Sequence, residues 1–269
     1  MFFNTNSDYI IMTYYQLLRF FFFDFSRQKT ITELSISLAD LVVKLCKESI
    51  EIRDRFTVGI SGGSLPKLLA ADLKNRQGIE WEKWEVFFCD ERLVPLDHED
   101  SNYSLCKKEF FDHVSIPEDQ IYTINPSLLQ EEDEEEIVDD YEKKLISVFA
   151  TVNSVKFPVF DLLLLGVGPD GHTCSLFPDH PLLDENIGWV AYIGDSPKPP
   201  PRRITFTLPV VNHAHNIAFV ATGEGKQDVL KEIIENSESK LPSALVKPVT
   251  GKLYWFLDDA AATKLTLSK

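Results

Sequence analysis

"DLLLLGVGPDGHTCSLFPDHP", residues 161–181, opens on four consecutive leucines and closes in a stretch rich in glycine, proline and histidine. Leu162–Leu165 leaves no polar position on either side, so it reads as a strand buried on both faces. Such strands belong to parallel sheets with helices packed above and below. Gly166, Gly168 and Gly171 then spell G-x-G-x-x-G. A dinucleotide site needs a helix straight after that turn, so that its N-terminus meets the pyrophosphate. Pro169 sits inside the turn, and Thr173, Pro178 and Pro181 follow it, which leaves room for a short turn at most. The stretch therefore predicts a strand whose loop does something other than bind NAD or FAD.

Outward from it, the pattern repeats. RFTVGIS (55–61), WEVFFCD (84–90), WVAYI (189–193), NIAFVAT (216–222) and KLYWFLD (252–258) read as further strands. Between them, LPKLLAADL (65–73), the run from Tyr103 to Phe111, the acidic segment ending in KKLISVFA (143–150) and GKQDVLKEIIE (225–235) read as helices. Thr30 and Glu33 form a capping box ahead of Leu34, Leu38, Leu41 and Leu45 at helical spacing. Strands alternating with helices indicate an α/β fold, a single domain with a mainly parallel twisted sheet flanked by helices. DSPKPPPRR (195–203) is too short for a domain linker and reads as a stiff loop. The expected division is an N-terminal extension of uncertain structure, 1–29, and a catalytic domain, 30–269.

The chain has 269 residues with 27 basic and 42 acidic side chains, a formal charge of −15. Nucleic acid is excluded as a partner, because a phosphate backbone demands a basic face. Any small anion must be held locally, by a few cations and backbone N–H groups. Cys46, Cys89, Cys106 and Cys174 are scattered without a C-x-x-C pair, so no metal site is expected and the thiols suit a reducing, cytoplasmic setting. The apolar run Tyr9–Phe23 is short of the roughly 20 residues a span requires and carries Thr13, Gln16 and Arg19, so no membrane partner is expected. There is no G-x-S-x-G elbow and no P-loop lysine motif, which argues against an α/β-hydrolase esterase and a nucleotide kinase.

Ligands of open parallel sheets bind beyond the carboxyl ends of the strands. Three such ends carry chemistry: Ser61-Gly62-Gly63-Ser64, Asp90-Glu91-Arg92 and Asp170-Gly171-His172. Parallel neighbouring strands would bring all three to one rim. The Gly62-Gly63-Ser64 turn opens a helix, where free N–H groups and the dipole favour an anion. Arg203 and Lys226 supply cations near further turns. His172 is a candidate general base, with Asp170 setting its tautomer.

Several ordered motifs, SGGSLPKLL, FFCDERLVPLDHEDSNY, DLLLLGVGPDGHTCSLFPDHP, DSPKPPPRRITFTLPV and GKLYWFLD, closely resemble the eukaryotic 6-phosphogluconolactonases, in a superfamily shared with glucosamine-6-phosphate deaminase. The resemblance spans about Ile31 to Leu267. It implies a Rossmann-like sheet of the deaminase type and hydrolysis of 6-phospho-D-glucono-1,5-lactone, with no cofactor, no metal and no stable protein partner. It maps family residues onto His172, Arg92, Arg203 and Lys226; with the reading of the rim, the expected catalytic residues are His172, Asp170 and Arg92, and the expected substrate-binding residues are Gly62, Gly63, Ser64, Asp90, Arg203 and Lys226. Arg92 or a backbone N–H would stabilise the oxyanion, and Asp90 would either hold Arg92 or contact sugar hydroxyls. Two rivals stand beside this reading: amino-sugar-phosphate deamination, whose relatives read D-E-Y where this chain has Asp90-Glu91-Arg92, and non-catalytic phosphosugar binding.

Overall fold

The computed structural model describes residues 23–130, 134–150 and 155–266. Among the described residues, ten strands form two sheets. The larger contains β1 (Phe23–Gln28), β2 (Phe56–Ile60), β3 (Trp84–Phe88), β5 (Ile121–Tyr122), β6 (Leu162–Gly166), β9 (Asn216–Ala221) and β10 (Lys252–Asp258). Its order is β1-β10-β9-β6-β2-β3-β5, and every pairing is parallel. Successive residues of the leucine run face opposite layers. Leu163 and Leu165 join a core with Phe87, Phe219 and Trp255, whereas Leu162 and Leu164 join another with Val58, Trp84 and Phe256. Both faces are covered, which is why the run carries no polar alternation.

The second core packs under α1 (Ile31–Arg53), α2 (Leu65–Leu73) and α3 (Asn102–Glu109). The first packs under α4 (Glu134–Phe149), followed along the chain by α5 (Leu208–His213), α6 (Gln227–Glu235), α7 (Pro242–Leu245) and α8 (Asp259–Ala262). The capping box is formed as the sequence predicts: the Glu33 backbone N–H donates to the Thr30 hydroxyl at 3.1 Å, and the Thr30 N–H donates to the Glu33 carboxylate at 3.2 Å. From β2 the chain crosses toward β3 and β5, then returns to place β6 on the other side of β2. The crevice between the carboxyl ends of β2 and β6 is thus the topological switch point of the sheet, where α/β folds bind ligands.

Two departures from the sequence reading matter. The first is a separate three-stranded antiparallel sheet, in the order β4 (Asp90–Arg92), β8 (Arg203–Phe206), β7 (Val190–Ile193). It takes WVAYI out of the parallel sheet and makes Asp90-Glu91-Arg92, read from the sequence as a strand end and the start of a loop, a short strand of its own. Arg92 and Arg203 stand opposite each other in its register.

The second is β1, formed by the last residues of the stretch set apart as an extension. It pairs with β10 from Phe23↔Leu253 to Gln28↔Asp258, and Phe25 packs on the core. Residues 1–22 lie outside the described residues. Deleting residues 1–28 is expected to unpair the β10 edge and lose the Phe25 contact, roughly 2 kcal/mol in sum. That should lower Tm by about 4–8 °C, with activity retained at low temperature. Deleting only 1–22 should leave Tm and activity unchanged, and a scanning calorimetry trace of the two truncations checks both.

Candidate active site

The three strand ends meet. A cavity of about 240 Å³ opens at the carboxyl edge of the sheet, lined by Ser61 to Leu65, Asp90, Arg92, His172, Arg203 and Lys226. Asp170 does not line it and stands behind His172 instead, against the Nδ1 edge of the ring.

The glycines of residues 166–171 build this loop. The Gly168 N–H donates to the His172 carbonyl at 2.8 Å, and the Gly171 N–H donates to the Gly168 carbonyl at 3.0 Å. Gly171 has φ +83, open to glycine at no steric cost. A Cβ at Gly168 would lie 1.9 Å from Nδ1 of His172, so the imidazole rests directly on that backbone. The ring also packs against Phe177, with centroids 4.8 Å apart. Ser243 holds the loop from outside, its hydroxyl and N–H both donating to the Gly171 carbonyl. No dinucleotide helix follows: Thr173 and Leu176 close a small bridge.

Within this setting the tautomer is fixed by chemistry. Partial burial works against the Asp170 carboxylate, yet the hydrogen bond and charge of His172, with Lys198 alongside, hold its pKa down at about 2. An ionised carboxylate only accepts, so Nδ1 of His172 carries the proton that Asp170 receives. The Nε2 lone pair is left available as a base. Burial lowers the pKa of His172, against the opposing pull of Asp170, which keeps the ring neutral near pH 7.

On the β2 side, Ser64 precedes α2, and its hydroxyl makes no cap to the helix. Gly63, at φ +72, turns the loop so that the first N–H groups of α2 border the cavity. Gly62 packs so closely that a Cβ there would sit 1.9 Å from the Asn102 side-chain oxygen. On the β3 side, Asn102 donates to the Asp90 carbonyl at 2.7 Å, and Ser175 donates to the Asp90 carboxylate at 2.8 Å. Asp90 forms no ion pair with Arg92 among the described residues, which removes one of its two expected roles. Arg92 is aimed by the Asp100 carbonyl, to which Nη1 donates at 2.6 Å, and its buried Nε has no partner among the described residues. Between them, Glu91 accepts from the N–H groups of Arg92, Asn102 and Tyr103 and from the Ser101 hydroxyl. Burial raises its pKa to about 7 against those bonds.

Lys226 is half-buried on the cavity wall and makes no ion pair among the described residues. Burial, and then the charge of Lys198, lower its pKa. Arg203 also reaches the cavity, but most of its donors are engaged. Nε donates to the Pro200 carbonyl at 2.9 Å, Nη2 to those of Lys198 and Pro199 at 2.7 and 3.2 Å, and Nη1 to the Ser175 hydroxyl at 3.3 Å. One Nη1 hydrogen remains for a ligand.

Lys198, Asn102 and Ser175 were absent from the sequence reading. Lys198 lies in the proline-rich loop, where a single lysine looks like any solvated surface residue. The only pointer to it was its place in the quoted DSPKPPPRR motif. Asn102 and Ser175 follow DERLVPLDHEDS and GHTC, and carry no periodicity that marks them.

A cavity with a part-buried, oriented imidazole, a helix N-terminus and cations that form no ion pair among the described residues suits a reaction at a carbonyl carbon of an anionic substrate. Among the described residues, no cluster of His, Cys, Asp or Glu could hold a metal ion, and no helix is long and apolar enough to cross a membrane.

The model of the glucosamine-6-phosphate isomerases/6-phosphogluconolactonase family matches residues 29–255. A probable 6-phosphogluconolactonase of Schizosaccharomyces pombe is 55% identical over 236 residues, covering 86% of this chain and 92% of that protein. Human 6-phosphogluconolactonase is 52% identical over 241 residues, covering 87% and 91%. The structure of 6-phosphogluconolactonase from Trypanosoma cruzi superposes with a TM-score of 0.78 at 28% identity, over 90% of this chain and 97% of that one.

Proposed function

The chain belongs to the glucosamine-6-phosphate isomerase/6-phosphogluconolactonase family, and on that premise we propose that it hydrolyses 6-phospho-D-glucono-1,5-lactone to 6-phospho-D-gluconate at this cavity. The reaction is the second step of the oxidative pentose phosphate pathway, and the cytoplasm is the proposed setting. The observation that carries the mechanism is the His172–Asp170 pair, which leaves Nε2 as a base at the rim of the cavity.

His172 takes a proton from water as the water oxygen bonds to the lactone carbonyl carbon. The carbonyl π electrons move onto oxygen, where Arg92, which lines the cavity, or a backbone N–H would receive the charge. Collapse of the tetrahedral intermediate breaks the bond to the ring oxygen, and the imidazolium returns its proton there. The product acid then loses a proton to solvent. Asp90, held by Ser175 and Asn102 on the cavity wall, would accept from sugar hydroxyls.

The phosphate is held apart from the reacting carbon, by the Gly62-Gly63-Ser64 turn, the start of α2, Lys226 and the remaining hydrogen of Arg203. Such remote binding energy orients the carbonyl for attack. The experiment is Lys226→Ala, assayed on the phosphorylated and the unphosphorylated lactone. A lost charged hydrogen bond predicts a KM for the phosphorylated substrate raised about ten- to hundredfold, with the unphosphorylated one unchanged. Equal losses on both substrates would contradict a separate anchor.

A further inference from the structure

Lys198 projects from the loop between β7 and β8 into the pair that the mechanism depends on. Its Nζ lies 3.2 Å from the Asp170 carboxylate and 3.0 Å from Nδ1 of His172. The backbone that carries it is held from two sides. Arg203 Nη2 donates to the Lys198 carbonyl, the Ser196 hydroxyl donates to the same oxygen at 2.9 Å, and the Lys198 N–H donates back to Ser196 at 3.2 Å. An exposed lysine finding a chance partner would not need such a mounting.

We propose that Lys198 is a positioning residue for the reaction: by sharing Asp170 with His172, its ammonium keeps the imidazole neutral and so able to accept a proton. The effect is electrostatic and rests on His172 as the base. An ionised Asp170 alone beside Nδ1 would favour imidazolium, and an imidazolium cannot accept a proton from water. A second cation on the same carboxylate competes for its charge and repels a charge on the ring.

The groups that reach the imidazole can be named loop by loop. Asp170 on its own loop and Asp90 from the start of β4 favour protonation, and Lys198 opposes them. Lys226, from the loop after β9, acts on Lys198 and Asp170. Arg203, from β8, sits over the far ring of Phe177 at 5.8 Å, and Phe177 and Gly168 present no charge. Lys198 is thus the cation in direct contact with the histidine–aspartate pair. An ammonium only donates, so Nζ at 3.0 Å makes no hydrogen bond with a protonated Nδ1; its bond is to the Asp170 carboxylate, and it reaches the ring as a charge.

The test is Lys198→Met, which keeps an unbranched stem without the charge, with Lys198→Arg as the conservative control. Removing a neighbouring charge shifts a titration by about one unit or more. The acid limb of the kcat/KM profile should therefore move up by about one pH unit. Below that limb the Met variant should be about tenfold slower than the parent, and at alkaline pH it should recover. The Arg variant should keep the parent profile.

The imidazole resonance of His172, identified by its loss in His172→Asn, should titrate about one unit higher in the Met variant. An unmoved His172 titration overturns the proposal. So does a rate loss that is uniform with pH, or a raised KM alone, since these would make Lys198 structural or a substrate ligand. A shifted resonance with an unshifted rate profile would leave the coupling in place and remove His172 from the role of base. The two readings therefore fail separately.

Discussion

His172→Asn is expected to lower turnover of the phosphorylated lactone by about a hundred- to ten-thousandfold after the spontaneous opening is subtracted. Asparagine fits between Gly168 and Phe177 and still hydrogen-bonds, but it has no lone pair that takes a proton near neutrality. Product binding should survive, because the phosphate anchor lies on other loops. Saturating 6-phosphogluconate should therefore raise the Tm of the variant as it does that of the parent. In the parent, turnover should fall as pH drops through the lowered pKa of His172, where the base becomes protonated. A folded Asn variant that turns over normally would take His172 out of the mechanism. One that has lost both turnover and product stabilisation would make it a binding residue.

Arg203→Ala should have the largest effect on stability. The side chain is 2% exposed and ties three consecutive carbonyls, from Lys198 to Pro200, to Ser175 across the small sheet. Its removal leaves Asp90 with less compensating charge and the loop without its clamp. Breaking a buried charged network of this kind costs about 3 kcal/mol, which corresponds to a drop of roughly 6–12 °C in Tm. Because the loop carries Lys198, activity should fall on both lactones, and somewhat further on the phosphorylated one, which also loses the remaining Arg203 hydrogen. The contrast with Lys226→Ala, which should discriminate between the two substrates, separates the clamp from the anchor. A variant with parental Tm and a defect confined to the phosphorylated substrate would instead make Arg203 chiefly a phosphate ligand.

The central sheet was legible because its strands are buried on both faces. Leu162–Leu165, Ile217–Ala221 and Leu253–Leu257 advertise themselves by apolar composition alone. The rim followed from it, since parallel neighbours put their carboxyl ends on one edge. The small sheet was not legible in the same way. Asp90-Glu91-Arg92 has no strand propensity, and what makes it a strand is pairing with residues 203–205, more than a hundred positions along the chain. β1 was hidden for a related reason. FDFSRQ shows no clean alternation, and its place is set by the free edge of β10. Likewise Lys198 becomes notable only once Arg203 folds the proline loop back over the Asp170–His172 pair.

The most direct measurement is the rate of proton release in a pH-stat, with freshly generated 6-phosphoglucono-1,5-lactone and catalytic amounts of the chain near pH 7. Each ring opening liberates one proton from the product acid, so the signal reports the reaction without a coupled enzyme. The account predicts release far above the spontaneous rate, proportional to protein, with no ammonia formed from glucosamine 6-phosphate under the same conditions. Proton release at the spontaneous rate, from folded protein that still binds the product, would contradict it, as would ammonia release from the amino sugar phosphate.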